Sequence, residues 1–185
     1  LVADVTPVRF RAVSSTDIGI AEWLELVRVI HEVAARAEKF DGIVVTHGTA
    51  TLEETAYFLN LTLKTDVPVV LVGAQRPASA LGTDAGMNLL NAIRVAGCAD
   101  ARGLGVLVLL NDEIQAARDV TKTSTQRLHT FRSPDFGILG QADGDGEIAI
   151  YRRPTRRHAP DCEFDVSGLE TLPRVDILPS YAGPD

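Results

Sequence analysis

The sequence predicts an α/β fold: a doubly wound, largely parallel sheet with a β-hairpin near the C-terminus, followed by a linker and the start of a second α/β domain. Two observations predict the sheet. Short apolar runs at 42–45, 69–72 and 105–110 have the composition of strands that are buried on both faces. Helical patterns separate these runs, and this alternation is typical of parallel strands joined by right-handed crossovers.

Ahead of the first buried strand, the pattern predicts one strand and one helix. Residues 8–13 alternate apolar and basic side chains, as a strand with one solvated face does. The polar segment 14–17 follows and has the residue types that cap a helix. The predicted helix ends near Lys39, and its apolar stripe consists of Ile20, Trp23, Leu24, Val27, Ile30 and Ala34.

Residues 42–63 form the strand and helix around which the chain is organised. The apolar run stops at Thr46-His47-Gly48-Thr49, and a helical pattern follows at once. Thr51 and Glu54 match a capping box, which predicts that the helix begins there. The face expected to be buried consists of Leu52, Ala56, Leu59 and Leu63. Hydroxyl and backbone N–H groups thus collect where a parallel strand ends, and open α/β sheets bind ligands at such edges.

A second strand and helix repeat this arrangement. Residues 69–72 are predicted to form a strand that ends at Gly73, and a loop then runs to Gly86. The next helix is predicted over residues 84–96, with Asp84 as its cap. Its apolar stripe consists of Leu89, Ala92, Ile93 and Ala96. Residues 105–110 then supply the third buried strand.

Beyond the third strand the apolar pattern weakens. Asn111-Asp112 is predicted to leave the sheet, and residues 115–135 carry few apolar anchors. The turn signal Asp143-Gly144-Asp145-Gly146 lies between two short apolar segments and predicts a β-hairpin.

The domain boundaries follow from these patterns. We predict an N-terminal α/β domain over residues 1–155, incomplete at its N-terminus, and an interdomain linker over residues 156–174, a segment that contains helix breakers. Residues 175–185 are predicted to begin a C-terminal domain, with 175–178 as its first strand. That strand would need further partners to bury its faces.

Composition narrows the function classes. The formal net charge of −7 argues against non-specific nucleic-acid binding, which depends on a basic surface. No apolar stretch approaches membrane-spanning length, so we expect no membrane partner. Cys98 and Cys162 are widely separated, which favours free thiols in a reducing compartment over a disulfide framework. The spacing of His129 and His158 is not that of a metal site, and no nucleotide-binding motif is present, so we expect neither metal nor cofactor.

The residues that could perform chemistry lie at the predicted sheet edge. A threonine hydroxyl becomes a nucleophile only when a base or cation activates it, and a lysine can serve. Lys122 lies in a polar segment beyond the third strand, and could meet Thr49 because the carboxyl ends of parallel strands share one edge. The alternative is that Thr49 and its neighbouring threonines cap the helix while Lys122 is solvated. The residues alone leave both interpretations open.

Five segments give the chain a resemblance to a known family. They are DGIVVTHGTATLEETAYFL (41–59), PVVLVGAQRP (68–77), DAGMNLLNAI (84–93), NDEIQAARDVTKTSTQRLHTF (111–131) and FDVSGLETLPRVDIL (164–178). In this order they resemble the bacterial-type L-asparaginase/glutaminase family. The resemblance implies hydrolysis of the side-chain amide of L-asparagine, or of L-glutamine, to the acid and ammonia through a threonine acyl-enzyme. It also implies a homodimer or homotetramer.

The resemblance assigns roles residue by residue. Thr49 matches the second threonine of that family, and Lys122 matches the lysine paired with it. The remaining matches are substrate-binding positions: Ser15 for the α-carboxylate, Thr16 where the family has Gln or Glu, Gly48 for close backbone approach, and Ala74 for a carbonyl that faces the amide. Some relatives are exported and carry a bridging cysteine near residues 64–66, where none is present. We therefore expect a cytoplasmic location.

Two departures from the family pattern matter. The family's first strand and its T-G-G-T turn, which carries the attacking threonine, have no counterpart in these residues. The family's T-H-G-T-D-T is T-H-G-T-A-T here, so Ala50 replaces an aspartate that would pair with Lys122 and receive the substrate's α-ammonium group. We expect impaired activity. Ala50 is compatible with a deliberate inactivating substitution, with a different amide substrate, or with a non-catalytic amino-acid-binding or regulatory relative. A purely structural subunit is a further alternative.

Overall fold

The computed structural model describes residues 2–36, 38–180 and 182–183. Within these residues the chain forms three α-helices and eight β-strands. The helices are α1 (Ile20–Ala34), α2 (Leu52–Thr62) and α3 (Ala85–Ala96). The strands are β1 (Ile43–Thr46), β2 (Val69–Val72), β3 (Val106–Leu110), β4 (Glu113–Ala116), β5 (Thr121–Lys122), β6 (Phe131–Arg132), β7 (Gly140–Ala142) and β8 (Ile148–Ile150).

Six of these strands form one sheet in the order β1-β2-β3-β4-β7-β8. The first three are parallel, and the remaining pairs are antiparallel. The short strands β5 and β6 form a separate antiparallel ribbon. The predicted α/β fold class is confirmed, with a parallel half that carries the helices and an antiparallel half that follows it.

Helices cover the parallel half of the sheet on both faces. Along β2, Val69 and Leu71 belong to the hydrophobic cluster that contains the buried residues of α1 and α2, whereas Val70 and Val72 belong to the cluster that contains those of α3. Successive side chains of a strand point to opposite faces, so an apolar run without alternation requires a layer on each side. The sheet is therefore doubly wound, as predicted.

The helix that follows β1 has the predicted buried face. Leu52, Ala56, Leu59 and Leu63 are each 0% exposed. The predicted capping box is wrong, however. Thr51 is the N-cap residue, but its hydroxyl donates a 2.6 Å hydrogen bond to the Ser15 carbonyl and, among the described residues, caps no helical N–H. The hydroxyl that the local pattern assigned to the helix cap thus forms a tertiary hydrogen bond instead.

Helix α3 is rotated relative to the predicted stripe. Leu89 is 40% exposed, whereas Asn88 and Asn91 are buried. The Asn88 amide donates to the Gly73 carbonyl at 2.9 Å, and the Asn91 amide donates to the Ala142 carbonyl at 3.0 Å. Buried polar side chains need hydrogen-bond partners. The bonds made by Asn88 and Asn91 therefore determine which face of α3 packs against the core.

The strand predicted over residues 8–13 is wrong. These residues lie in the described part of the chain, form no regular secondary structure and are exposed except for Phe10, which packs partly against the core. An alternating pattern produces a strand only when a neighbouring strand supplies hydrogen-bond partners. In the described residues β1 is the edge of the sheet and pairs only with β2, so this segment has no strand beside it.

The chain does not leave the sheet after β3, contrary to the prediction. Asn111 and Asp112 both have positive φ, 53° and 63°, and form a two-residue turn between the paired residues Leu110 and Glu113. Asparagine and aspartate tolerate this backbone region, which suits a tight hairpin. Strand β4 therefore returns beside β3, with Ile114 fully buried.

The predicted hairpin near the C-terminus is confirmed by β7 and β8, which flank the predicted turn. Residues 152–180 then lack regular secondary structure, and Val175, Ile177 and Leu178 are at least 84% exposed. The strand expected at 175–178 is therefore absent from this described stretch. The proposed C-terminal domain over 175–185 lies partly outside the described residues and stays a prediction. Among the described helices, none combines the length and apolarity that crossing a bilayer requires.

Candidate active site

Two segments that are distant in sequence meet at the carboxyl end of β1. The Lys122 ammonium group donates a 2.9 Å hydrogen bond to the Thr49 hydroxyl. Both residues are half-buried, and the Lys122 nitrogen lies 5.9 Å from the centroid of the Phe131 ring. Gly48 and Ala50, on either side of Thr49, are exposed, so solvent reaches this turn. A lysine and a threonine in this geometry can exchange a proton.

A carboxylate on α2 holds the backbone of the lysine strand. Glu53 accepts a hydrogen bond from the Lys122 backbone N–H and a second, 3.2 Å long, from the Thr121 hydroxyl. Glu53 was not among the candidate residues that the sequence pattern identified. Its position in the first turn of a helix beside the candidate Thr49 was the available signal, but the partner strand was visible only in three dimensions.

Ser15 packs directly against the turn that carries Thr49. It is buried, and it lies in a single 3-10 turn (Ser15–Asp17) immediately ahead of α1. A Cβ added at Gly48 would lie 2.7 Å from the Ser15 hydroxyl oxygen, closer than real Cβ contacts. The Thr51 hydroxyl also donates to the Ser15 carbonyl. Glycine at position 48 is thus required by close approach, and the structure brings Ser15, Gly48 and Thr49 together.

The end of β2 approaches the same turn. A Cβ added at Gly73 would lie 2.7 Å from the His47 carbonyl oxygen and 3.0 Å from Thr49 Cγ2. Ala74 follows Gly73, so the loop after β2 begins next to Thr49. The Asp84 carboxylate accepts the backbone N–H groups of Gln75 and Arg76, each at 2.9 Å, and so restrains this loop. These hydrogen bonds lower the pKa of Asp84 although its partial burial acts in the opposite direction.

Two of the predicted substrate-binding residues lie at the periphery. Thr16 is exposed, and its hydroxyl is 2.8 Å from that of Ser14. Ala50 is exposed beside Thr49. Among the described residues, no carboxylate lies within 4.0 Å of the Lys122 ammonium group. The place where the family pattern has an aspartate is therefore open and uncharged.

Comparison with known proteins gives a consistent result. The family model "Asparaginase, N-terminal" matches residues 1–156. L-asparaginase 2 of Bacillus subtilis is 48% identical over 180 residues, which cover 97% of this chain and 47% of that protein. Glutaminase-asparaginase of Pseudomonas fluorescens is 46% identical over 180 residues, which cover 97% of this chain and 49% of that protein.

A solved structure is also similar. The crystal structure of a probable cytoplasmic L-asparaginase from Campylobacter jejuni superposes with a TM-score of 0.93 at 44% identity, over 99% of this chain and 56% of that one. The chain thus spans about half the length of the curated relatives it matches. The family-model match, these identities and the shared fold agree: the chain belongs to the asparaginase family.

Proposed function

We propose that the complete protein is an amidohydrolase that acts on the side-chain amide of L-asparagine, with L-glutamine as the second candidate substrate. The observation that carries this proposal is the 2.9 Å hydrogen bond between the Lys122 ammonium group and the Thr49 hydroxyl. It lies at the edge of the parallel sheet, where α/β folds bind ligands. Membership of the asparaginase family supports the reaction class.

In the proposed mechanism, Thr49 and Lys122 move a proton at the reacting amide. The acyl-enzyme would form on a threonine of a T-G-G-T turn, which is not among these 185 residues. Ser15 and the backbone at Gly48 would bind the substrate α-carboxylate, and Ala74 would place its carbonyl toward the amide. The contact of Gly48 with Ser15 supports this arrangement, because it puts a hydroxyl beside Thr49.

Ala50 should impair this activity. A methyl group provides no charge for Lys122 or for a substrate ammonium group. The absence of one charged partner from a desolvated pair costs roughly 2–5 kcal/mol. This corresponds to about a 30-fold to several-thousand-fold loss in rate or affinity. The exposure of Ala50 places the actual loss toward the lower end, because solvent screens an exposed pair.

Ammonia release from L-asparagine tests the proposal. We expect Ala50→Asp in the complete protein to raise kcat/KM by at least about 30-fold. Ala50→Asn, which has the same shape without the charge, is the matched control and should give a much smaller gain. A well-folded Ala50→Asp protein whose rate stays at background would contradict the proposed function.

The second candidate is an amino-acid-binding or regulatory protein without turnover, and Ala50 is the observation that favours it. This protein would bind L-aspartate or L-asparagine and show a raised Tm, but it would release no ammonia even with Ala50→Asp. Calorimetry that detects no binding at millimolar ligand would eliminate this candidate. Ammonia release by the Ala50→Asp variant therefore distinguishes the two functions: the amidohydrolase regains activity and the binding protein does not.

We further propose a homodimer or homotetramer in the cytoplasm, with a small amino-acid amide as the only required ligand. Membership of the asparaginase family, whose pattern implies a dimer or tetramer, supports the assembly. The Campylobacter jejuni relative is named a probable cytoplasmic enzyme, which supports the location.

A further inference from the structure

A chain of three hydrogen bonds connects the elements around the candidate site. The Trp23 indole N–H of α1 donates to the Thr55 hydroxyl of α2 at 2.8 Å. The Thr55 oxygen lies 3.0 Å from His47 Nε2, at the end of β1. The other ring nitrogen, His47 Nδ1, lies 2.7 Å from the Gly48 carbonyl oxygen. Each contact has the length of an ordinary hydrogen bond.

The chemistry of the partners determines the direction of every bond. A carbonyl oxygen only accepts, so His47 Nδ1 must carry the hydrogen. In the neutral ring His47 Nε2 is then an acceptor, and it takes the Thr55 hydroxyl hydrogen. The Thr55 oxygen in turn accepts the hydrogen of Trp23, which only donates. One tautomer of His47 therefore satisfies all four groups.

The surroundings keep the histidine in this form. Burial lowers the pKa of His47, although the Gly48 carbonyl and the nearby Glu54 carboxylate oppose the shift. Thr55 is 0% exposed, so its hydroxyl has no access to water as an alternative partner. Trp23 is itself fixed by stacking on Phe58, with ring centroids 5.3 Å apart. The four groups thus form one hydrogen-bonded network around the buried Thr55 hydroxyl.

We propose that His47 and Thr55 are positioning residues that fix the Gly48–Thr49 turn against Ser15. The hydrogen bond from the His47 ring orients the Gly48 carbonyl, and the Gly48 Cα lies against the Ser15 side chain. The Thr51 hydroxyl also holds Ser15, by its hydrogen bond to the Ser15 carbonyl. Trp23 belongs to the helix that begins just after Ser15. The network therefore couples the residues proposed to bind the substrate carboxylate to the turn that carries Thr49, and in this respect it depends on the proposed function.

The test combines NMR with ligand binding in the complete protein. In the wild type we expect the His47 ring to carry its hydrogen on Nδ1 at pH 7, and the Trp23 indole N–H resonance to move when His47 titrates. Thr55→Val keeps the shape and removes the hydroxyl, whereas Thr55→Ser keeps the hydroxyl. We expect Thr55→Val to shift the Trp23 indole and Gly48 amide resonances and to weaken L-aspartate binding about fivefold. Thr55→Ser should leave both resonances and the L-aspartate affinity close to their wild-type values.

Thr62→Val is the matched control. Thr62 is another buried threonine of α2, and its hydroxyl donates to the Phe58 carbonyl at 2.8 Å within the helix, outside the network. Its replacement should leave the Gly48 amide resonance and the L-aspartate affinity unchanged. Equal effects of Thr62→Val and Thr55→Val would overturn the proposal.

Two wild-type results would also overturn the proposal, even if Thr55→Val does not fold. One is a His47 ring that carries its hydrogen on Nε2. The other is a Trp23 indole N–H resonance whose chemical shift does not change when His47 titrates. A well-folded Ala50→Asp protein that binds no L-aspartate would instead count against the proposed function. In that case the His47 tautomer and the Trp23 titration still decide whether the network positions the turn.

Discussion

Glu53, in the first turn of α2, accepts the backbone N–H of Lys122, which lies 69 positions further along the chain. Four positions before that carboxylate, on the turn that leads into the same helix, Thr49 accepts the Lys122 ammonium hydrogen. The lysine is therefore held at its backbone and at the end of its side chain by one short segment. This arrangement makes the position of Lys122 depend on Glu53.

Glu53→Gln should displace the lysine strand. A neutral amide oxygen is a weaker acceptor than a carboxylate, and hydrogen bonds to charged groups contribute about 1.5–3 kcal/mol. We expect the free energy of unfolding to fall by about 1–2 kcal/mol, as measured by urea denaturation. Glu54→Gln is the control, since Glu54 is exposed and should change stability by less than about 0.5 kcal/mol. Equal effects of the two variants would show that Glu53 has no special role.

Gly48→Ala should disturb the proposed carboxylate site. The new methyl group would lie 2.7 Å from the Ser15 hydroxyl oxygen and 2.9 Å from its Cβ, so the two segments must separate. Overpacking of this kind costs about 1–3 kcal/mol. We expect a lower Tm and weaker L-aspartate binding.

Gly86→Ala is the matched comparison for Gly48→Ala. This glycine lies in α3 with no heavy atom within 4 Å of an added Cβ. The substitution should raise the free energy of unfolding by up to about 1 kcal/mol, because alanine favours a helix over glycine. Gly48→Ala that binds L-aspartate as tightly as Gly86→Ala would contradict the assigned role of the close approach.

Stability should decline in mild acid. Burial lowers the pKa of His31 and of His47 below the ordinary value of 6.5. Above that value both folded and unfolded forms are neutral, so the full stability is present. As the pH falls below 6.5 the unfolded chain binds protons first, and stability is lost until the folded pKa is passed. Urea unfolding at pH 7.5 and at pH 5.5 should therefore give a lower free energy at the acidic pH.

Replacing His31 and His47 should reduce the pH dependence of the free energy of unfolding. The His31 Nε2 accepts the Lys64 backbone N–H at 2.9 Å, and glutamine can accept the same hydrogen without titrating. We expect His31→Gln to reduce the loss between pH 7.5 and pH 5.5, and the double variant His31→Gln, His47→Gln to reduce it further. An unchanged loss in the double variant would assign the acid sensitivity to other groups.

The edge of β1 predicts association. In β1, Ile43, Val44 and Val45 are only half-buried, whereas all four residues of β2 are buried. Within the described residues β1 pairs only with β2, so its other edge offers free backbone groups. Light scattering on the 185-residue chain should therefore report an associated species and not a monomer. A 185-residue chain that is well folded and strictly monomeric would weigh against this expectation.

The layers of the fold follow from patterns that the amino-acid sequence contains. The buried runs of β1, β2 and β3 and the stripe of Leu52, Ala56 and Leu59 depend on local periodicity, which is a property of the chain alone. The sequence also indicated family membership, because the matching segments occur in one order. It identified Thr49 and Lys122 as candidates, since residues at the ends of parallel strands share an edge.

The hydrogen bonds between distant segments, by contrast, became visible in three dimensions. The Thr51 hydroxyl binds Ser15 instead of capping α2, and residues 8–13 form no strand in the absence of a neighbour. Glu53 reaches Lys122, and His47 reaches Thr55. A polar group forms hydrogen bonds with whichever partners the packing of distant segments brings near it. These contacts therefore do not follow from local sequence patterns.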